Sequence, residues 1–286
     1  PLSSRPAYTE TENELTVKAN KRTFIFSKKD GQLKGVSVDN RKINFANGPR
    51  FIGARRADRS LDQFYNHDDE KAKEKDRTYS EFPDAAVFTK LDVKEDGGNL
   101  VVTANYKLGN LDKAQWTINP SGELALDYTY NFSGVVDLMG IRFDYPEDQV
   151  ISKRWLGAGP YRVWQNRIHG TQYDVWENDY NDPIPGETFT YPEFKGYFGD
   201  VSWMNIQTKE GTISLTNEAP DAYIGVYQPR DGRDRLLYTL PESGISVLNV
   251  IPPVRNKVNS TDLCGPSSQP KWVNGPQTGR VIFRFM

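Results

Sequence analysis

The 286-residue chain contains one cysteine, Cys264, and two histidines, His67 and His169. A single thiol cannot close an intrachain disulfide. Structural zinc motifs need grouped cysteine and histidine ligands, and this inventory excludes them. We read no metal and no cofactor from the sequence. No run of about 18 apolar residues occurs, so no segment can cross a bilayer as a helix. Neither charge sign is in excess, with 36 Lys+Arg against 38 Asp+Glu and a net charge of −2. That balance offers no electrostatic case for nucleic acid or for an anionic membrane surface. Two catalytic signatures are also missing: a Gly-x-x-x-x-Gly-Lys phosphate loop and a Gly-x-Ser-x-Gly nucleophile elbow. No serine is marked as a partner for either histidine. Carboxylates are plentiful, but a glycosidase pair requires a fixed separation across a sugar, which sequence spacing in a β-fold does not report.

The first residues, "PLSSRPAYTE", have no initiator methionine and no signal-peptide core, and they read as an excised segment or a mature product. The compartment stays open, with periplasm or secretion slightly ahead of the cytoplasm. Sequons stand at Asn131-Phe-Ser133 and Asn259-Ser-Thr261.

Aromatic residues are abundant: 15 Tyr, 14 Phe and 6 Trp. That composition suits β-structure and also suits carbohydrate-binding surfaces, where flat rings meet the apolar faces of sugars. Period-two alternation runs through "ELTVKAN", "RTFIFSKKDGQLKGVSVDNRKI", "NLVVTANYKL", "KAQWTINPSGELALDYTYNF" and "MGIRFDYP". It returns in "GTISLTNE", "AYIGVYQ", "GISVLNVIPP" and "GRVIFRFM". Asp30-Gly31, Asp39-Asn40 and Pro120-Ser-Gly122 supply hairpin turns. No amphipathic helix longer than about two turns is visible at the 3.6-residue period. The pattern predicts an all-β fold of sandwiched antiparallel sheets. With no repeat, linker or boundary, residues 1–286 read as one domain. Two stretches break the rhythm: the charged 66–81, read as a solvated loop or short surface helix, and the Pro-, Gly- and Tyr-rich 177–200, read as a long loop of the kind that often carries function.

Four blocks resemble the C-terminal domain of the β-galactosidases of glycoside hydrolase family 2. "FIFSKKDGQLKGVSVDNRKI" with "GPRFIGARRAD" is similar to that domain's opening. "WLGAGPYRVWQNRIHG" resembles its W-x-G-x-G-P-x-E-x-Y-x-D-R block, "YPEFKG" its Y-x-x-P-Q-E-x-G segment, and "LCGPSSQPKWV" its loop ending in Ser-Trp. The blocks fall in the family's order over nearly the whole chain. The resemblance implies a supersandwich of two large antiparallel sheets, similar to galactose mutarotase. It implies a non-catalytic C-terminal domain that lends side chains to the sugar site at the mouth of a separate (β/α)₈ barrel, which holds the catalytic glutamates. The partners it implies are a galactoside-like carbohydrate and that barrel. The chain departs from the family at Tyr161-Arg162, where a glutamate is usual at the second position, and at Trp164-Gln165-Asn166-Arg167, which keeps only the arginine of Tyr-x-Asp-Arg. These departures bear on galactose specificity.

The candidate carbohydrate-binding residues are Trp272, Glu193, Arg162, Trp164 and Arg167. Trp272 follows a loop with no strand pattern to bury it, and the resemblance places it against the sugar. Glu193 sits between proline and an aromatic in a Gly-bounded loop, where it would bind sugar hydroxyls, a cation, or Lys195. Arg162, Trp164 and Arg167 read either as structural groups or as contacts to sugar or barrel. Trp155 reads as core, Gly157 and Gly159 as residues of a tight turn, and His169 as structural. Two alternative functions stand beside the first. One is a free carbohydrate-binding module. The other is a stand-alone aldose mutarotase-like enzyme, for which His169 and Glu193 would be the acid and base pair.

Overall fold

The computed structural model describes residues 5–56, 78–187, 192–219, 221–230, 238–254 and 266–286. Most of the charged stretch 66–81, together with His67, Tyr191, Asn259 and Cys264, lies outside the described residues. The first strands are β1 (Ala7–Glu10), β2 (Glu14–Ala19), β3 (Arg22–Ser27), β4 (Leu33–Val38), β5 (Arg41–Ile43), β6 (Ala46–Arg56) and β7 (Tyr79–Glu81). Next come β8 (Val87–Asp96), β9 (Asn99–Lys107), β10 (Leu111–Ile118), β11 (Leu124–Val136), β12 (Leu138–Asp144) and β13 (Val150–Gly159). The last are β14 (Gln172–Asp179), β15 (Trp203–Thr208), β16 (Gly211–Asn217), β17 (Tyr223–Val226), β18 (Ile245–Val250) and β19 (Lys271–Phe285). Only single turns of 3-10 helix interrupt them among the described residues.

The strands form two antiparallel sheets, one of ten strands in the order β1-β2-β3-β4-β6-β12-β18-β17 with β5 on β4 and β7 on β6. The other has nine, in the order β14-β13-β15-β16-β19-β11-β10-β9-β8. The hairpins form where turn chemistry allows. Gly31 and Gly122 hold φ of +72° and +83°, and Asp39 and Asn40 are both left-handed between β4 and β5, as a two-residue hairpin turn requires.

Alternation then decides which side chains are buried. Leu15, Val17 and Ala19 on β2 and Phe24 and Phe26 on β3 all point inward. They meet Trp116, Leu126, Tyr130 and Phe283 from the nine-stranded sheet in one apolar cluster. Phe45, Phe143, Phe283 and Phe285 pack ring on ring between the sheets, with centroids 4.8–6.3 Å apart. The expected all-β architecture of two sandwiched sheets is therefore present. β12 and β18 are buried on both faces. Phe51 joins the cluster between the sheets, while its neighbour Ile52 joins a second cluster with Ala54, Leu138, Trp164 and Leu248. Adjacent strand residues face opposite sides, so this second cluster covers the outer face of the ten-stranded sheet.

Several strands lie where no alternation announced them. β14 runs into the first residues of the 177–200 stretch, and β8 and β14 are the exposed end strands of the nine-stranded sheet, which present no buried apolar face to reveal them. Gly157 and Gly159 are strand residues of β13, not turn residues. Their role is close approach: a Cβ on Gly157 would lie 2.9 Å from the Gly199 carbonyl, and one on Gly159 would lie 2.4 Å from the Trp176 indole.

Candidate functional site

Three of the four blocks singled out in the sequence meet at one place. β13 ends at Gly159, and the chain from Pro160 to Arg167 lies over the second apolar cluster. Val163 exchanges backbone hydrogen bonds of 2.7 and 2.8 Å with Tyr197, and the Arg162 amide donates to the Phe194 carbonyl at 3.1 Å. "YPEFKG" is thereby stitched to "GPYRVW". The Arg167 guanidinium stands 4.8 Å from the Phe194 ring centroid, and Tyr161 meets the same ring edge-on at 5.0 Å.

Gln165 makes the third connection. Its Nε2 donates to the carbonyls of Ser267 at 2.7 Å and Gln269 at 2.6 Å, and its backbone amide donates to Pro252 at 3.0 Å. Beside it, Asn166 and Val254 exchange a reciprocal pair of 2.8 and 2.9 Å. The buried Gln165 therefore fixes the chain just before Trp272. The N-terminal block arrives through the end of β6, where the Arg56 amide donates to Asp137 Oδ2 at 2.8 Å. Asp137 links β11 to β12.

The two tryptophans offered as sugar contacts separate here. Trp164 is fully buried, edge-on to Tyr197 at 5.7 Å and Tyr238 at 5.9 Å. It has no open ring face, so the sugar-contact reading of Trp164 is corrected to a core role. Trp272 is 72% exposed. It is not in a loop, however: it is the second residue of β19, opposite Val135 of β11. Among the described residues, β11 and β19 pair in this stretch only with each other, because the β10 ladder leaves β11 after Tyr130 and β16 reaches β19 only from Val281. A two-stranded ribbon has one free edge on each side, and a side chain on it is buried only if another layer covers it.

The arginines also separate. Arg162 is buried, donates Nη2 to the Asn181 carbonyl at 3.1 Å, and lies over Phe198 at 5.8 Å. A direct sugar contact is corrected to a structural one, since its guanidinium faces inward. Arg167 is exposed. Glu193 is half-buried in the one-turn 3-10 helix Pro192–Phe194 and has a partner within the chain. Trp155 is fully buried, as expected, and donates its indole N–H to the Ala158 carbonyl at 3.1 Å. His169 is exposed, and its backbone carbonyl accepts the Tyr161 hydroxyl at 2.9 Å.

Buried cations, Lys153, Arg162 and Lys195, set the electrostatics behind the block. Lys153 is 1% exposed, donates Nζ to the Asp179 carbonyl at 3.1 Å and sits 5.1 Å from the Tyr180 ring centroid. Burial, then the nearby Arg162 charge, holds its ammonium well below the usual lysine range. Burial likewise pulls Arg162 down to about 10, against the opposing influence of Tyr180 and Asp182. The signal for Lys153 lies in its spacing: two residues from Trp155 on a strand, it must share that residue's inward face. Gln165 had no such signal, because its partners lie about a hundred residues away.

Comparisons with known proteins bear on this geometry. The family model described as beta galactosidase small chain matches residues 18–256, a span that ends before Trp272. Galactose 1-epimerase from Lactobacillus acidophilus superposes with a TM-score of 0.51 at 10% identity, covering 99% of this chain and 99% of that one. An aldose epimerase homologue from C. elegans gives a TM-score of 0.40 at 8% identity, with 98% and 99% covered. The first of these likenesses identifies the fold as galactose mutarotase-like. No curated protein matches the sequence.

Proposed function

We propose, from the premise that this chain belongs to the beta galactosidase small chain family, that it is a non-catalytic domain of a family 2 glycoside hydrolase. In this reading residues 1–286 are one supersandwich domain, and the catalytic carboxylates reside on a separate barrel whose mouth it covers. Its ligand is a galactoside-like sugar shared with that barrel. The observation that carries the reading is the Trp272 indole, 72% exposed on a ribbon whose approach is pinned by the buried Gln165. An aromatic face held open at that position can stack on the apolar C–H face of a pyranose, and apolar burial is worth about 25 cal/mol per Å². Arg167 and Glu193 lie along the same block and would supply polar contacts at its rim. The mutarotase-like alternative draws less support, because His169 is exposed and shows no hydrogen bond to Glu193.

The test uses the intact enzyme, this chain with its barrel. Trp272→Ala should raise KM more than it lowers kcat, because stacking acts on the bound substrate as well as on the transition state. The chain alone should release no nitrophenol from aryl glycosides. Turnover by the chain alone, abolished by changing one of its own carboxylates, would refute the non-catalytic reading. An unchanged KM in the Trp272 variant would remove the stacking role.

A further inference from the structure

A pocket of about 720 Å³ opens at the opposite end of the ten-stranded sheet. Three of the family blocks gather where β12 begins, beside Leu138, whereas this pocket lies where β12 ends, at Asp144, with Lys34 and Lys42 of the first block in its wall. Seven strand residues separate the two ends, or about 20 Å at roughly 3.4 Å per residue. The volume falls in the range of small-molecule sites, roughly 300–1,000 Å³.

The lining indicates what would fit. Three cations, Lys34, Lys42 and Arg230, face three carboxylates, Asp144, Glu147 and Glu242. Equal numbers leave no net field to attract a phosphate or a metal ion. Most of these charges are already engaged: Lys34 with Asp30, Asp144 with Arg50, and Glu147 with Arg230. The exposed side chains of Lys42 and Glu242 have no ion pair or hydrogen bond among the described residues and stand at the rim. Asn47 is engaged by Lys34 and Asp144, while Asn44 and Gln228 donate their NH2 groups to Glu210 and to the Leu240 carbonyl and keep their amide oxygens as acceptors at the wall. A ligand matching this wall is uncharged and rich in hydroxyls.

The backbone at the wall is also unusual. Tyr227 holds φ of +60°, a conformation rare for a bulky residue and a frequent mark of functional sites. It is held at both ends, by its amide donating to the Gly244 carbonyl at 2.7 Å and its hydroxyl donating to the Pro146 carbonyl at 3.0 Å. Both of these partners also line the pocket. The strained residue therefore ties together three segments of the wall: the turn after β12, the chain after β17 and the entry to β18.

We propose that this pocket is a second carbohydrate-binding site, taking a neutral mono- or disaccharide independently of Trp272. The experiment is a titration of the ¹⁵N-labelled chain with lactose and with maltose, followed by amide shifts. Inorganic phosphate and calcium chloride serve as charged probes. Saturable shifts at Asn44, Gln228 and Gly244 are expected with a saccharide, in the wild type and in Trp272→Ala alike. Lys42→Ala combined with Glu242→Ala should weaken that binding about tenfold, a change of about 1.4 kcal/mol, while leaving the melting temperature in place, since both side chains are exposed. The proposal is overturned if neither saccharide shifts these amides, if only phosphate or calcium does, or if the double variant binds as the wild type does. Loss of the shifts in Trp272→Ala would also overturn it, because the two sites would then be one. A failure of the barrel-completing role in the intact enzyme would leave these outcomes unaffected.

Discussion

Replacing Trp164 and Trp272 by alanine, one at a time, asks whether a tryptophan in this chain holds the fold or meets a ligand. Trp164 is wholly enclosed, and Tyr197 and Tyr238 both contact it edge-on. Truncating a buried tryptophan costs about 3–5 kcal/mol in transfer and cavity energy. Each lost aromatic pair adds about 0.5–1.5 kcal/mol, so the total is about 5 kcal/mol. A folded domain has only about 5–15 kcal/mol in hand. Trp272 presents most of its ring to solvent, and its removal should cost about 0.5 kcal/mol or less. Urea unfolding separates the two. With an m-value of about 3 kcal/mol per molar, Trp164→Ala should lower the midpoint by roughly 1.5 M, and Trp272→Ala by less than about 0.2 M. A chain of this length can leave two-state behaviour, so far-UV circular dichroism and tryptophan fluorescence should be followed together. A midpoint for Trp164→Ala within about 0.5 M of the wild type would refute the burial argument. Equal losses in the two variants would mean that Trp272 is as structural as Trp164.

Gln165→Leu keeps the side-chain volume but strands the Ser267 and Gln269 carbonyls. It should cost about 2–3 kcal/mol and should raise KM in the intact enzyme by loosening the approach to Trp272; a variant that loses stability with KM unchanged would uncouple the glutamine from the site. Lys153→Met should be at least as stable as the wild type at pH 7, because burial holds the Lys153 pKa well below its unfolded value, a cost to folding at any pH below that value; a loss above about 2 kcal/mol would show that the hydrogen bond to Asp179 outweighs desolvation. With the folded pKa depressed, the wild type loses stability relative to Lys153→Met as pH falls from about 10.5 towards the folded value, and the difference closes only above about 10.5.

Much of the fold was legible in the sequence because its causes are local. The alternation of Leu15, Val17 and Ala19, or of Phe24 and Phe26, names the inward face without reference to any partner strand. Asp30-Gly31 and Asp39-Asn40 name their turns through backbone conformation alone. Trp155 was placed in the core by its own strand. The missed strands had distant causes. β19 begins at Lys271, eight residues earlier than "GRVIFRFM" suggests, because β11 offers it a distant partner, with Val136 opposite Lys271 and Val135 opposite Trp272.

The candidate site is where the sequence alone stopped. Trp164 stands between Val163 and Gln165 and Trp272 between Lys271 and Val273, and these flanks leave open whether the ring of Trp164 is enclosed. Trp164 is buried because Tyr197, Tyr238, Leu248 and Val254 arrive from elsewhere in the chain and close over it. Trp272 stays open because its stretch of β19 has only β11 beside it. The inward or outward sense of Arg162 was likewise settled by the Asn181 carbonyl and the Phe198 ring. Residue type and order determined the sheets and the family, since hydrophobic period and turn propensity act over a few residues. Burial of a particular side chain depends on which remote segments pack upon it, and only the tertiary structure decided that.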